Sequence, residues 1–390
     1  MPRQVSIAKV SRPRLSAVLI RKRLFAALDK GRSFSAVWIN GPGGSGKTTL
    51  AASYIDVRKL PCLWYQLDAG DSDIATFFYY MGLAAKRAAP RRKTPLPLFT
   101  KEYARGLPAF TKRYFEDLCS RLKPPFVIVL DGYQHIASDS LFHGVVRDAL
   151  AVIPEGISVI INSRGMPPPE LALLRTYKKI HYIEWEELKF SICEIRSLFR
   201  LGRKKGPEGE VLEQIFRLTM GWAAGLVLLT GRIKDRGLPA ADLDRFGQDE
   251  LFEYFATELF EKIDASMQAF LLKSAFLSRI SPPDAREMTG REDAAAVLAS
   301  LSRNHFFTEQ RSVSDPVYQY HPLFREFLLA RARQTYTEEE VLGVMRQAAE
   351  LLERSGQTED AADLYRSSGD WGSLARLITA HAASQWPWDI

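Results

Sequence analysis

The sequence predicts an α/β domain built on a parallel five-stranded sheet, followed by regions that are largely helical. Three observations carry this. Short apolar runs alternate with helical stretches from residue 35 to about residue 185. The runs are near-continuous rather than alternating, as strands buried on both faces by helices require. After about residue 186 the runs stop, and helical periodicity takes over.

The five runs are, in order, Ser35-Ala36-Val37-Trp38-Ile39, Cys62-Leu63-Trp64-Tyr65, Phe126-Val127-Ile128-Val129-Leu130, Ile157-Ser158-Val159-Ile160-Ile161 and Ile180-His181-Tyr182-Ile183. Helical connectors between successive strands place them parallel. Helices are expected over 49–54, from about residue 74, and over 113–121. Asp68, Asp71 and Asp73 precede the second of these and suit turn and N-cap positions better than ligand roles. Residues 91–108 are rich in Pro and Thr and read as an exposed excursion.

Beyond residue 186, helices are expected over 191–201 and 208–219, separated by a basic Gly/Pro turn, with a polar break at 237–247. Residues 251–333 then read as several helices, a hairpin from Phe306-Phe307-Thr308-Glu309 and Val317-Tyr318-Gln319-Tyr320, and a closing helix. That order is a winged-helix arrangement. Past Thr337, Ala348-Ala349-Glu350-Leu351-Leu352 and Ala361-Ala362-Asp363-Leu364-Tyr365 look like successive helix bodies of an α-solenoid, with turns at Gly356 and Gly369-Asp370. Solenoid repeats need about three units for stability, so the last stretch is either a docked helical cap or the start of a longer TPR-like array. The expected divisions are 1–185, a nucleotide-binding domain on the grounds given below; 186–246, a helical lid; 247–335, a winged helix; and 336–390, a helical arm.

Composition narrows the class. With 390 residues, 46% hydrophobic and 25% charged, the chain has ordinary globular usage, which excludes wholesale disorder and a small disulfide scaffold. Cys62, Cys119 and Cys193 are sparse and unpaired in sequence, arguing for a reducing compartment and against a zinc module. No apolar run approaches the roughly 20 residues of a membrane span, and the start MPRQVSIAKVSRPRL has no apolar core for secretion. A cytoplasmic protein is expected. The net charge of +7 is small for this length. Arg87 with Arg91-Arg92-Lys93, and Arg200 with Arg203-Lys204-Lys205, lack the interleaved aromatics that stack bases and read as solvated loops. The candidate recognition helix at 293–302, DAAAVLASLS, has no Arg or Lys to reach base edges. It is expected to pack between domains instead.

Gly41-Pro42-Gly43-Gly44-Ser45-Gly46-Lys47-Thr48 matches G-x-x-x-x-G-K-[ST] in full, between the first expected strand and a helix beginning with Thr49. That is the placement a phosphate-binding loop requires. The glycines let backbone N–H groups approach phosphate oxygens, Lys47 adds a charge on the β- and γ-phosphates, and Thr48 reaches Mg²⁺. The chain is expected to bind ATP or ADP with Mg²⁺. Asp131 ends the third run and is the expected second magnesium residue. Arg164, just past the fourth run, is either a γ-phosphate sensor or a surface arginine.

These motifs occur in an order that resembles the STAND class of P-loop signalling ATPases, and within it the MalT-type, large LuxR-family transcription regulators. Ser11-Arg12-Pro13-Arg14-Leu15 with Ile20-Arg21-Lys22-Arg23-Leu24 resembles the family's leader. Val129-Leu130-Asp131-Gly132-Tyr133 resembles its Walker B strand, and Asn162-Ser163-Arg164-Gly165-Met166-Pro167-Pro168 its sensor segment. Thr219-Met220-Gly221-Trp222-Ala223-Ala224-Gly225-Leu226 is similar to its lid motif, and Tyr320-His321-Pro322-Leu323-Phe324-Arg325-Glu326-Phe327-Leu328 to its winged-helix signature. The match covers about residues 10–335.

The resemblance implies a nucleotide-controlled switch. Ile20 and Arg21 would lie beside the base, Gly221 and Ala223 would close over adenine, and His321 would read a bound diphosphate in a closed monomer. ATP, with an inducer captured by a C-terminal solenoid missing from this chain, would give a self-associating form. DNA would be reached only through a C-terminal effector domain, also missing here, and no membrane is involved. Two positions depart from the pattern. Gly132 stands where the family has a second acidic residue that positions the attacking water, so a slow ATPase at most is expected, and Gly132→Asp or Gly132→Glu should raise turnover if the site is otherwise complete. Ala223 stands where the lid usually has Pro. The competing readings are a turnover ATPase or kinase, and a DNA-binding module.

Overall fold

The computed structural model describes residues 8–15, 18–90, 94–201, 207–236, 252–253, 255–304, 306–311 and 316–385. The chain divides into two compact units, Met1–Thr230 and Gly231–Ile390. Arg91-Arg92-Lys93, Arg203-Lys204-Lys205 and the polar break at 237–247 lie outside the described residues.

In the first unit the five expected strands form: β1 (Ala36–Asn40), β2 (Cys62–Gln66), β3 (Phe126–Asp131), β4 (Ile157–Ser163) and β5 (Ile180–Ile183). All neighbours are parallel, in the order β2-β3-β4-β1-β5. The three central strands are buried along their whole length, which is why their sequences carry no polar alternation. Helices α1 (Lys22–Gly31), α2 (Lys47–Arg58), α3 (Ile74–Ala88), α4 (Leu107–Ser120), α5 (Phe142–Leu150) and α6 (Ala172–Thr176) accompany the sheet. One face of the sheet is aromatic. Trp38 meets Tyr133 edge-on at 4.9 Å, and Phe142 meets Phe77 at 4.8 Å.

The aspartates before α3 are structural, as the sequence suggests. Asp68 accepts from Gly70 N at 2.9 Å, and Asp73 caps α3 by accepting from Thr76 N at 3.0 Å. Asp71 is buried and binds Tyr65 and Lys9. The excursion, described from residue 94 to 108, is largely exposed as expected, with one inward turn of the chain. Leu96 is buried, and Phe99 stacks on Phe78 with centroids 5.7 Å apart, because the aromatic cluster under α3 needs a cover. Helix α4 also begins earlier than expected, with Pro108 in its first turn, where a missing N–H costs nothing.

Short helices follow the sheet: α7 (Trp185–Leu188), α8 (Ile192–Arg200), α9 (Glu210–Thr219) and α10 (Ala223–Arg236). A capping box at Ser191 and Glu194 starts α8.

In the second unit α11 (Ala265–Ser274), α12 (Pro282–Thr289) and α13 (Ala294–Arg303) precede an antiparallel pair, β6 (Thr308–Gln310) and β7 (Tyr318–Tyr320), and α14 (Pro322–Thr335). This is the expected winged-helix order. The hairpin is shorter than the sequence suggested. Phe307 sits at φ +50° before β6, and its ring packs on Phe255 and Phe324. Helix α13 buries Val297, Leu298 and Leu301, consistent with a packing role. Helices α15 (Glu338–Arg354), α16 (Thr358–Ser367) and α17 (Trp371–Gln385) follow. The Tyr365 hydroxyl donates to Glu353 at 2.9 Å, linking α16 to α15.

Candidate nucleotide-binding site

Strand register assembles the site. Gln66 pairs with Asp131, Asp131 with Asn162, and Asn162 with Ile39. The carboxyl ends of four strands therefore line up beside the loop that leaves β1, the usual ligand edge of an open α/β sheet.

The loop itself is Gly41 to Gly46, and Lys47 opens α2. Gly44 and Gly46 lie at φ +69° and +87°, where a Cβ is strained. The Lys47 Nζ donates to Gly41 O at 2.7 Å, Pro42 O at 2.8 Å and Ser45 Oγ at 3.2 Å. Burial, helped by the charge of Arg164 and opposed by Asp131, pushes the ammonium down to about 7. A phosphate anion is the partner that would reverse this shift. Thr49 follows in the first turn of α2, partly exposed.

The Thr48 hydroxyl lies 3.0 and 2.9 Å from the two oxygens of buried Asp131. The Asn162 amide donates to Asp131 Oδ1 at 3.1 Å. Burial raises the Asp131 pKa, while Asn162, Thr48 and the Lys47 charge pull it down. Asn162 is fully buried, and its Oδ1 has no protein donor. An orphaned acceptor beside a carboxylate and a hydroxyl fits a hydrated ion. Among the described residues no cluster of three or more His, Cys, Asp or Glu side chains exists to hold a metal. One carboxylate and one hydroxyl suit Mg²⁺, which keeps its waters and takes phosphate oxygens. They do not suit an all-protein metal cage.

Gly132 is at φ +91°, and a Cβ there would lie 2.9 Å from Gln66 Nε2 and 3.0 Å from Leu67 O. An acidic residue at 132 would therefore carry a structural cost in this turn. The backbone of this turn is built for glycine. Arg164 is partly exposed on the segment after β4. That segment is held by Trp38 Nε1 donating to Gly165 O at 3.0 Å.

In the leader, Ile20 is exposed and Arg21 is buried. The Arg21 guanidinium donates to Leu188 O and Lys189 O, both at 2.8 Å, reaches Glu194 at 3.1 Å and stacks over Phe190 at 3.9 Å. It fastens the segment before α1 to the end of α7 and the start of α8. Gly221, at φ +76°, lets the Phe190 backbone approach, since a Cβ would meet Phe190 O at 2.5 Å. Trp222 is fully buried, and its Nε1 donates to Gly43 O at 3.0 Å. Ala223 faces Gly46, 3.6 Å from the position a Cβ would take there. The lid motif thus rests on the phosphate loop. Sequence reading placed Trp222 and Asn162 inside motifs without giving them contacts; no spacing signal in the chain points to either.

His321 lies in the second unit, buried at the N-cap of α14. Its backbone N–H donates to Phe307 O at 2.7 Å, and its ring meets Phe307 edge-on at 5.9 Å.

Residues 256–340 match the family described as the MalT winged helix domain. The HTH-type transcriptional regulator MalT of Cronobacter sakazakii is 27% identical over 385 residues, spanning 96% of this chain. The MalT-type resemblance holds. This chain covers 42% of the length of that MalT protein. A Walker-type ATPase of Pyrococcus abyssi has the same fold over 80% of this chain and 96% of its own, at TM-score 0.55 and 14% identity. A STAND protein with a tetratricopeptide repeat sensor from Pyrococcus horikoshii aligns over 95% of this chain and 51% of its own, at TM-score 0.42 and 17% identity.

Proposed function

We propose that the chain is the nucleotide-controlled part of a MalT-type transcription regulator. In this reading residues 1–185 bind the nucleotide, 186–246 close over it, 247–335 report its state and 336–390 lead toward a sensor arm. ADP holds a closed monomer. ATP, with an inducer bound by a C-terminal solenoid, favours a self-associating form, and DNA is engaged through a separate effector domain in the cytoplasm. Among the described residues no helix is long and apolar enough to cross a membrane.

The observation that carries the reading is an asymmetry in the site. The side chains that would bind lie together: Lys47 in the phosphate loop, and Thr48 against Asp131. The position that would activate water is Gly132, which has no carboxylate and lies in a turn where a side chain would be strained. Binding without efficient hydrolysis suits a switch rather than a motor.

Lys47 would hold the β- and γ-phosphates. Thr48 and Asp131 would hold Mg²⁺, which supplies neutralisation of phosphate charge, and Asn162 would keep Asp131 oriented. Ile20, Arg21, Gly221 and Ala223 would frame the base. A switch needs a ligand with unequal affinity for two states. Arg164 meeting a γ-phosphate in one, and His321 meeting a diphosphate in the other, would supply it. Steady-state turnover of Mg·ATP tests the proposal: rates far below the roughly 10 s⁻¹ of a median enzyme are expected. Turnover at that level would overturn it in favour of an ATPase or kinase.

A further inference from the structure

The four successive carbonyls of the phosphate loop from Gly41 to Gly44 each accept a hydrogen bond. Lys47 Nζ takes Gly41 O and Pro42 O, Trp222 Nε1 takes Gly43 O at 3.0 Å, and Ala224 N takes Gly44 O at 2.9 Å. The last two donors come from the lid, 179 residues along the chain in the case of Trp222. In a trans peptide the C=O and the following N–H point in opposite directions. Fixing these carbonyls therefore fixes the N–H groups of the same peptides, which form the anion-binding concavity.

The holding residue is itself held. The Trp222 backbone N–H donates to Thr219 O at 2.8 Å, and the Gly221 N–H to Thr219 Oγ1 at 3.3 Å. The indole lies so close to Gly225 that a Cβ there would meet it at 2.9 Å. On the loop side a Cβ at Gly44 would lie 3.1 Å from the indole and 2.6 Å from the Ala224 Cβ. The indole and the loop are fitted to one another from both sides.

We propose that Trp222 is a positioning residue for phosphate: by holding the Gly43 carbonyl it preorganises the loop, so the lid sets phosphate affinity independently of any contact with the base. The inference rests on the nucleotide-binding reading and deepens it. Without the indole N–H the anion itself must order the Gly43–Gly44 peptide and bear that entropy. By linkage, phosphate binding also tightens the lid on the loop.

The test uses calorimetry with inorganic pyrophosphate, which has no base, beside ADP. Trp222→Phe removes the donor, and β-(3-benzothienyl)alanine at position 222 removes it while keeping the shape. Each substitution should weaken pyrophosphate and ADP by similar factors, about 3- to 10-fold for one neutral hydrogen bond. The benzothienyl form, which keeps the packing, should melt within about 2–4 °C of the parent, so that the loss of affinity is not a loss of fold. A fall for ADP alone would show that the lid acts only through the base and overturn the inference, as would unchanged affinity for both. Failure of the parent protein to bind either ligand would instead sink the nucleotide-site reading itself.

Discussion

The Thr48 hydroxyl sits 2.9 Å from Asp131 Oδ2, joining the first turn of α2 to the end of β3 across 83 residues. In the proposed reading these are the two side chains that would hold magnesium. Thr48→Val keeps the branched shape and loses the oxygen. It should abolish most of the gain in ATP affinity that Mg²⁺ brings, while ADP binding in chelator stays near the parent value. Paired titrations with and without Mg²⁺ check this, and an undiminished Mg²⁺ effect would remove Thr48 from the site.

Lys47→Ala should weaken ATP by about 1.5–3 kcal/mol, the range for hydrogen bonds to a charged group, without unfolding the protein. The pH dependence has a definite sign. Burial lowers the Lys47 pKa from 10.5 to about 7. The cost of the buried charge is fully present below about 7 and fades as pH rises toward 10.5. Relative to Lys47→Ala, the unliganded parent should therefore gain stability across that window. Phosphate restores the charge, so ATP binding at pH 8 should take up about one proton. Calorimetry in buffers of different ionisation enthalpy reads that uptake, and it should vanish in Lys47→Ala.

Gly132→Asp should cost about 1–2 kcal/mol for a side chain in left-handed backbone, on top of the crowding against Gln66 and Leu67. Thermal melts should show the loss, and ATP turnover should not rise. A stable, faster variant would mean that the turn can relax and that only the carboxylate was wanting.

Much of this was legible in sequence because burial leaves a simple mark. Strands covered on both faces must be continuously apolar, and all five appear within a few residues of their expected limits. The loop 41–48 is legible because phosphate geometry tolerates few residues. What stayed hidden depends on distant partners. Nothing local to Arg21 says that its guanidinium meets Leu188, Lys189 and Glu194. Nothing local to Trp222 says that its indole meets Gly43. The conformation of Gly132 was hidden too, since a glycine after a strand permits positive φ without requiring it. Leu96 and Phe99 were missed because a Pro-rich segment looks the same whether it is solvated or laid over an aromatic cluster.

His321→Ala should weaken ADP by about 1–3 kcal/mol, within the range for a lost charge-assisted hydrogen bond, and ATP by less. Because His321 is buried beside Phe307, some loss of stability is also expected. The discriminating quantity is therefore the ADP-to-ATP affinity ratio. Equal losses for the two nucleotides, or none, would take the sensing role away from His321.

This chain is expected to rest in a nucleotide-bound state that hydrolysis does not continually turn over. Mass spectrometry of the small molecules released on denaturing freshly purified protein tests it most directly. The account predicts ADP, in near-stoichiometric amount. Protein that emerges free of adenine nucleotide would contradict it.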